Sequence, residues 1–291
     1  MFWFFFIACV ADKTEAELSV NTPLNIKTGS YPVHYLVSRI YPQGNLECII
    51  PEGEDPPDWN PSPELIASLS TSDLLVANGA GFEKWMETAA LSQSKTLYSA
   101  EGLDFIYIEG ETHSHGKKGE HSHAGIDPHT WSDPIYYQKQ AKRIAEKIKE
   151  LSPDDASRVD STLATLNEEL QRLDVKAKKE LSRLQNISFA ANHPAYNYLA
   201  KRYDLKVRSF DFDPQEPLKS EKDRTALESW HKGGENIYLL WESLPDASVQ
   251  QSMPQGVKHI YIDPLEQPES GQPYDYIQQF QKNLDRFSAI P

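Results

Sequence analysis

Residues 154–191 contain neither glycine nor proline, and apolar side chains recur through them at Val159, Leu163, Leu166, Leu170, Leu173, Ala177, Leu181 and Leu184. Steps of 4, 3, 4, 3, 4, 4 and 3 residues keep that stripe on one helical face. Pro153-Asp154-Asp155 suits the start of such a helix, since proline needs no donor there and acids favour the positive end of the dipole. A helix of about 30 residues measures roughly 45 Å at 1.5 Å per residue. That is too long for one small lobe, so the helix is expected to run along two.

Short apolar runs and helical spacings alternate on both sides of it. Before it, Leu24–Thr28, Leu46–Pro51 and Leu74–Ala77 read as strands, and Tyr31–Ile40, Glu64–Leu69 and residues 134–151 as helices. After it, Ile187–Ala191, Val207–Phe210, Ile237–Trp241 and Lys258–Ile262 read as strands, with helices at Pro194–Arg202, Thr225–His231 and Tyr274–Phe287. Such alternation argues for parallel α/β sheets. The expected fold is therefore α/β: two α/β lobes joined by one long rigid helix, with a cleft between them. The expected division is a signal or lipid anchor and tether over 1–22, an amino-terminal lobe over 23–152, the linking helix over 153–185 and a carboxy-terminal lobe over 186–291.

The formal charge of −14 over 291 residues disfavours nucleic acid and anionic lipid as partners and mildly favours cations. Its first eleven residues, MFWFFFIACVA, are apolar but too few to span a bilayer, which takes about 20. They resemble the end of a secretory signal whose basic segment lies upstream. Phe6-Ile7-Ala8-Cys9 resembles a lipobox, which would make Cys9 a lipidation site; in a plain signal peptide Cys9 would be removed instead. The other cysteine, Cys48, lies in an apolar run and reads as a strand residue rather than a ligand.

Four of the nine histidines, His113, His115, His121 and His123, fall within eleven residues of a segment over 109–126 that is rich in glycine and charge. The whole stretch 102–130 reads as a loop. Neutral imidazole is the commonest side-chain ligand for zinc and its neighbours, so this segment reads as an auxiliary metal-collecting loop.

Three further groups sit where ligands of α/β sheets bind, at strand ends. His129 stands in Asp127-Pro128-His129-Thr130-Trp131 just before a helix, His193 in Asn192-His193-Pro194-Ala195-Tyr196 after a strand, and Asp263 in Tyr261-Ile262-Asp263-Pro264-Leu265 after another. Singly, each has a plain structural use as a cap, a satisfied polar group or a turn. Together they form a nitrogen and oxygen donor set that suits zinc in a cleft between lobes. His34, His231 and His259 read as structural, and Trp59, Trp85, Trp131 and Trp241 as packing aromatics.

With these residues in view, the chain resembles the metal-binding substrate-binding proteins of bacterial ABC importers for zinc and manganese. The resemblance rests on Tyr31-Pro32, on Asp73-Leu74-Leu75-Val76-Ala77-Asn78-Gly79-Ala80-Gly81-Phe82-Glu83-Lys84-Trp85, on the His129 and His193 segments, and on Arg202-Tyr203-Asp204-Leu205. It implies two lobes bridged by a long helix, capture of the ion in the cleft, and delivery to an ABC permease by a monomer that is no enzyme, in the periplasm or on the outer face of the cytoplasmic membrane. It implies Zn2+ as the transported ion, with Mn2+ less favoured because manganese prefers oxygen donors.

One departure stands out. The family supplies a first histidine in a segment resembling Gly-x-Asp-Pro-His-x-Tyr-x-Pro. Here Gly53-Glu54-Asp55-Pro56-Pro57-Asp58-Trp59-Asn60-Pro61 puts Pro57 at that position. His121 or His123 is the favoured replacement, ahead of Asp58 or water. Two other functions compete: a periplasmic zinc buffer or chaperone without a permease, and a zinc hydrolase. The hydrolase lacks a His-Glu-x-x-His helix and a carboxylate base paired with a ligand histidine.

Overall fold

The computed structural model describes residues 22–54, 56–108, 125–210, 212–230, 237–269 and 271–291, and the backbone alone of 112–114 and 120–122. Cys9, His115, His123 and His231 lie outside the described residues.

In the amino-terminal half, β1 (Asn25–Thr28), α1 (Tyr31–Ile40), β2 (Asn45–Cys48), α2 (Pro63–Leu69), β3 (Leu74–Ala77) and β4 (Thr96–Tyr98) follow one another. Their four strands pair in parallel in the order β2-β1-β3-β4. β3 is Leu-Leu-Val-Ala, buried at every position, as an inner strand covered on both faces requires. α1 starts behind an extended Ser30 with proline in its first turn, and turns Val33, Leu36, Val37 and Ile40 inward. β4 escaped the sequence reading because Thr96-Leu97-Tyr98 is three residues long and partly exposed, too short to show a period.

The histidine-rich region is less irregular than its composition suggests. β5 (Tyr107–Ile108) pairs with β8 (Gly125–Ile126), and between them β6 (Thr112–Ser114) pairs antiparallel with β7 (Glu120–Ser122), setting His113 opposite His121 along the backbone. Strands of two or three residues carry no readable alternation, so the sequence over 102–130 shows only a loop.

α3 (Pro134–Leu151) is capped by Asp133, whose Oδ1 accepts from the Ile135 amide at 2.8 Å. The long helix is α4 (Ala156–Leu181), 26 residues or roughly 39 Å, extended by a single 3-10 turn at each end, Pro153–Asp155 and Ser182–Leu184. Val159, Leu166, Leu170, Leu173, Ala177, Leu181 and Leu184 are buried along it.

The second half then runs β9 (Ser188–Ala191), α5 (Asn197–Tyr203), β10 (Lys206–Ser209), α6 (Glu221–Trp230), β11 (Ile237–Trp241), α7 (Ala247–Ser252), β12 (Val257–Tyr261) and α8 (Tyr276–Ser288). Its parallel sheet has the order β10-β9-β11-β12, the same winding as the first. Among the described residues no helix is long and apolar enough to cross a membrane.

The halves are not hung on a bare rod. One continuous buried cluster includes Ile26 and Leu36 of the first lobe, the α4 stripe, and Phe189, Leu240 and Phe287 of the second. Tyr137 of α3 packs against Tyr276 of α8 with ring centroids 4.1 Å apart and planes tilted by 35°. Arg202 of α5 donates to both oxygens of buried Asp174 on α4, at 2.9 and 2.8 Å. Leu170 sits mid-stripe and fully buried. We expect Leu170→Ala to cost about 2–5 kcal/mol, read as a lower urea midpoint at an unchanged slope.

Candidate metal site

β8 delivers the chain into Asp127-Pro128-His129, and His129 is only 2% exposed. Oδ1 of Asp127 accepts from the His129 backbone N–H at 3.0 Å and lies 2.7 Å from Nδ1. That contact assigns a hydrogen to Nδ1 and turns Nε2 into the cleft. Nε2 meets Oε1 of Glu266, from the other lobe, at 2.9 Å. Burial works to lower the proton affinity of this imidazole, but Asp127 foremost, and then Glu266, push its pKa up to about 10. The site is thus built to hold a positive charge in a desolvated place.

His193 arrives from the second lobe. It follows the end of β9 in extended conformation, and the next residues turn into a 3-10 segment and α5. Its ring centroid lies 5.5 Å from that of His129, with planes at 85°. Two imidazoles bound to one zinc at about 2.0–2.1 Å, at a tetrahedral angle, have centroids roughly 5 Å apart. The two rings therefore stand close to the separation one ion requires.

The carboxylate that reaches His129 is Glu266, not the expected Asp263. Asp263 is 6% exposed, and its carboxylate is spent on its own surroundings. Oδ1 accepts from the Leu265 amide and Oδ2 from Gln279 of α8, both at 2.8 Å. Asn283 grips the Asp263 backbone on both sides, accepting from its N–H at 2.9 Å and donating to its carbonyl at 2.7 Å. Asp263 thereby shapes the turn. Leu265, in the left-handed region at φ 64°, swings the following Glu266 toward the cleft. Ile262-Asp263-Pro264-Leu265-Glu266 offers two carboxylates at one strand end, and only the backbone path chooses between them.

Among the described residues, no three His, Cys, Asp or Glu side chains are yet spread around one cation position. The reason is visible at Nε2, where Glu266 closes directly on the imidazole. Nitrogen and oxygen ligands of tetrahedral zinc are about 3.3 Å apart, so a small parting of this pair admits an ion.

The surrounding contacts fix both lobes to this point. Asn197 of α5 donates to Oδ2 of Asp127 at 3.0 Å, and the Tyr198 hydroxyl donates to the Asp127 carbonyl at 3.0 Å. The indole N–H of Trp131 donates to the Pro264 carbonyl at 3.0 Å, tying the His129 turn to the Glu266 turn. Trp131 is therefore more than the packing aromatic the sequence suggested. Trp241 is fully buried, and Trp59 packs edge-on against Trp85. His34 shares a hydrogen bond with Thr28 at 3.0 Å, and His259 accepts from Trp241 at 3.0 Å, both structural uses. Burial pushes the Cys48 thiol up to about 11, which suits a strand residue and not a thiolate ligand.

The stretch just before Pro57 is bonded to the second lobe. The Gly53 amide donates to Oε1 of Gln267 at 2.9 Å, and Gln267 donates back to the Glu54 carbonyl. Asp58 sits on the turn of that segment, half-buried. No side-chain placement is described for His113 or His121.

In the metal-free protein, an NMR titration of His129 should show a lower pKa in Asp127→Asn than in wild type, with a smaller fall in Glu266→Gln, because Asp127 gives the larger upward push.

Two lobes of like winding, one helix behind both, and imidazoles facing each other in the groove define a cleft-type solute-binding protein. The chain belongs to the family described as zinc-uptake complex component A, periplasmic (ZnuA), whose profile matches residues 26–290. It is 28% identical over 293 residues to the high-affinity zinc uptake system protein ZnuA of Bacillus subtilis, covering 96% of this chain and 91% of that protein. It is 27% identical over 294 residues to the zinc-binding lipoprotein AdcA of Streptococcus pneumoniae, of which it spans 57%. The crystal structure of Zn(II)-bound AdcA superposes with a TM-score of 0.76 at 25% identity over 92% of this chain and 57% of that one.

Proposed function

We propose that this chain is an extracytoplasmic zinc-binding protein that captures Zn2+ between its lobes and passes it to an ABC import permease. The observation that carries this reading is the meeting of His129 and His193, from opposite lobes, 5.5 Å apart with Glu266 on Nε2. The names of the relatives, a zinc uptake protein and a zinc-binding lipoprotein, support zinc as cargo and Cys9 as a lipid anchor. We assign His129, His193 and Glu266 as ligands and Asp263 as the residue that shapes the Glu266 turn. Pro57 offers no donor, so His121 or His123 supplies the fourth, and His113 and His115 collect the ion with them. The donor set, rich in imidazole, favours zinc over manganese. A transport role also fits better than hydrolysis, since Glu266, the carboxylate on Nε2 of His129, is assigned as a ligand rather than standing free as a base.

Zinc titration of the protein lacking residues 111–124 tests this against a buffer role. One tight ion should remain, and His129→Ala should abolish it; loss of nearly all binding with the deletion would make the protein a buffer. Imidazole must shed its proton to bind, and the His129 pKa is raised to about 10, so over this window its proton alone should weaken zinc about tenfold per pH unit, about 100-fold between pH 7.5 and pH 5.5. Equal affinities would exclude histidine ligation. Glu266→Ala should weaken zinc more than Asp263→Ala; the reverse order would return Asp263 to the ligand set.

A further inference from the structure

Behind the metal-facing histidine lies a buried polar assembly that touches no ion. β3 ends at Ala77; Asn78 follows, and the next three residues, Gly79, Ala80 and Gly81, all adopt left-handed backbone, with φ of 78°, 56° and 78°. Ala80 has a β-carbon, so this conformation is disfavoured unless neighbours enforce it. Glu83 enforces it. Its carboxylate, only 4% exposed, accepts the Asn78 amide at 2.9 Å through Oε1 and the Gly79 amide at 3.0 Å through Oε2. Gly29 at the end of β1 leaves room for it: a β-carbon there would stand 3.0 Å from Oε1.

The curl ends in two contacts on the His129 segment. Phe82 packs on Trp131 at 4.7 Å between centroids. The fully buried Asn78 side chain then reaches both sides of His129. Its Nδ2 donates to the carbonyls of Pro128 at 2.9 Å and Gly79 at 3.0 Å. Its Oδ1 accepts from the Thr130 hydroxyl at 3.1 Å and from Gln140 of α3 at 2.9 Å. All four hydrogen-bonding places of this carboxamide are filled, a saturation only an amide can reach here.

We propose that Asn78 and Glu83 are positioning residues for the metal site: Glu83 sets the strand-end curl, and Asn78 uses it to clamp the residues on either side of His129, through the Pro128 carbonyl and the Thr130 hydroxyl, aiming Nε2 into the cleft. Asp127 orients the ring, whereas this clamp fixes the peptide that carries it. The proposal rests on His129 being a metal ligand.

The test is zinc affinity by chelator competition, the visible bands of the Co2+ form, and Tm, all on the full chain. Asn78→Asp keeps the acceptor and loses both donors, placing a carboxylate oxygen against two carbonyls. It should weaken zinc about 10–100-fold, the usual range for residues that orient ligands, and alter the Co2+ bands. Glu83→Gln should move both in the same direction. Asp155→Asn is the control for stability alone, since Asp155 bonds Tyr41 and Ser152 at the far end of α4. It should lower Tm and leave zinc and the Co2+ bands as in wild type. If Asn78→Asp does not fold, Thr130→Val, which removes one hydroxyl of the clamp, should give a smaller loss of affinity and the same band change. Variants that lose Tm like Asp155→Asn yet keep wild-type affinity and bands overturn the proposal. A wild-type protein that binds no zinc at the cleft overturns the metal-site assignment instead.

Discussion

A buried imidazole held at both nitrogens by carboxylates, one from each side of the cleft, is the contact on which this structure turns. Asp127 takes Nδ1 of His129 at 2.7 Å and Glu266 takes Nε2 at 2.9 Å. Removing such groups from water is costly unless each is paired in good geometry. The arrangement therefore persists only while the turns carrying His129 and Glu266 keep their separation. Trp131 to Pro264 and Asn197 to Asp127 maintain it directly. The core shared by both lobes and α4 maintains it from behind.

That shared core sets the kind of motion available. Lobes that bury a common cluster against one helix, with Arg202 bonded to Asp174, cannot swing widely without opening that core. Under the proposed capture, admission of an ion would fall to short segments at the groove: the Glu266 turn, and the Gly53–Glu54 stretch bonded to Gln267. Both are loops. Local ordering of this sort belongs to the small-amplitude end of binding-protein transitions.

The two histidines also differ in depth of burial. On the His129 side, the segment is held by Asp127, Asn78, Trp131 and Tyr198, all fully or almost fully buried. On the other, His193 is half-buried, while the preceding Asn192 is fully buried and donates to the Phe212 carbonyl at 3.2 Å. One histidine thus lies deep in its turn, and the second comes in from the opposing lobe. Pro57 brings no donor to the outer segment of the first lobe, which is joined to the second through Gln267.

Much of this was legible in the chain itself. Apolar spacing gave α4 and nearly every helix and strand of the two sheets, because each buries a regular face; the misses, β4, α7 and the short pairs around the histidine-rich region, are too brief to show a period. The strand-end positions of His129 and His193 followed from where turns interrupt apolar runs. Sequence could not choose between Asp263 and Glu266. That choice depends on which carboxylate the Leu265 turn points inward and which one Gln279 and the Leu265 amide consume, and both depend on α8 packing against the strand end. Nor could it show that Asn78, distant in the chain, holds His129. Local pattern determined the elements and the residue types at their ends, since burial and turn chemistry are written locally; which of those side chains meet was decided by the packing of two lobes on one helix, an outcome of contacts between residues far apart in sequence.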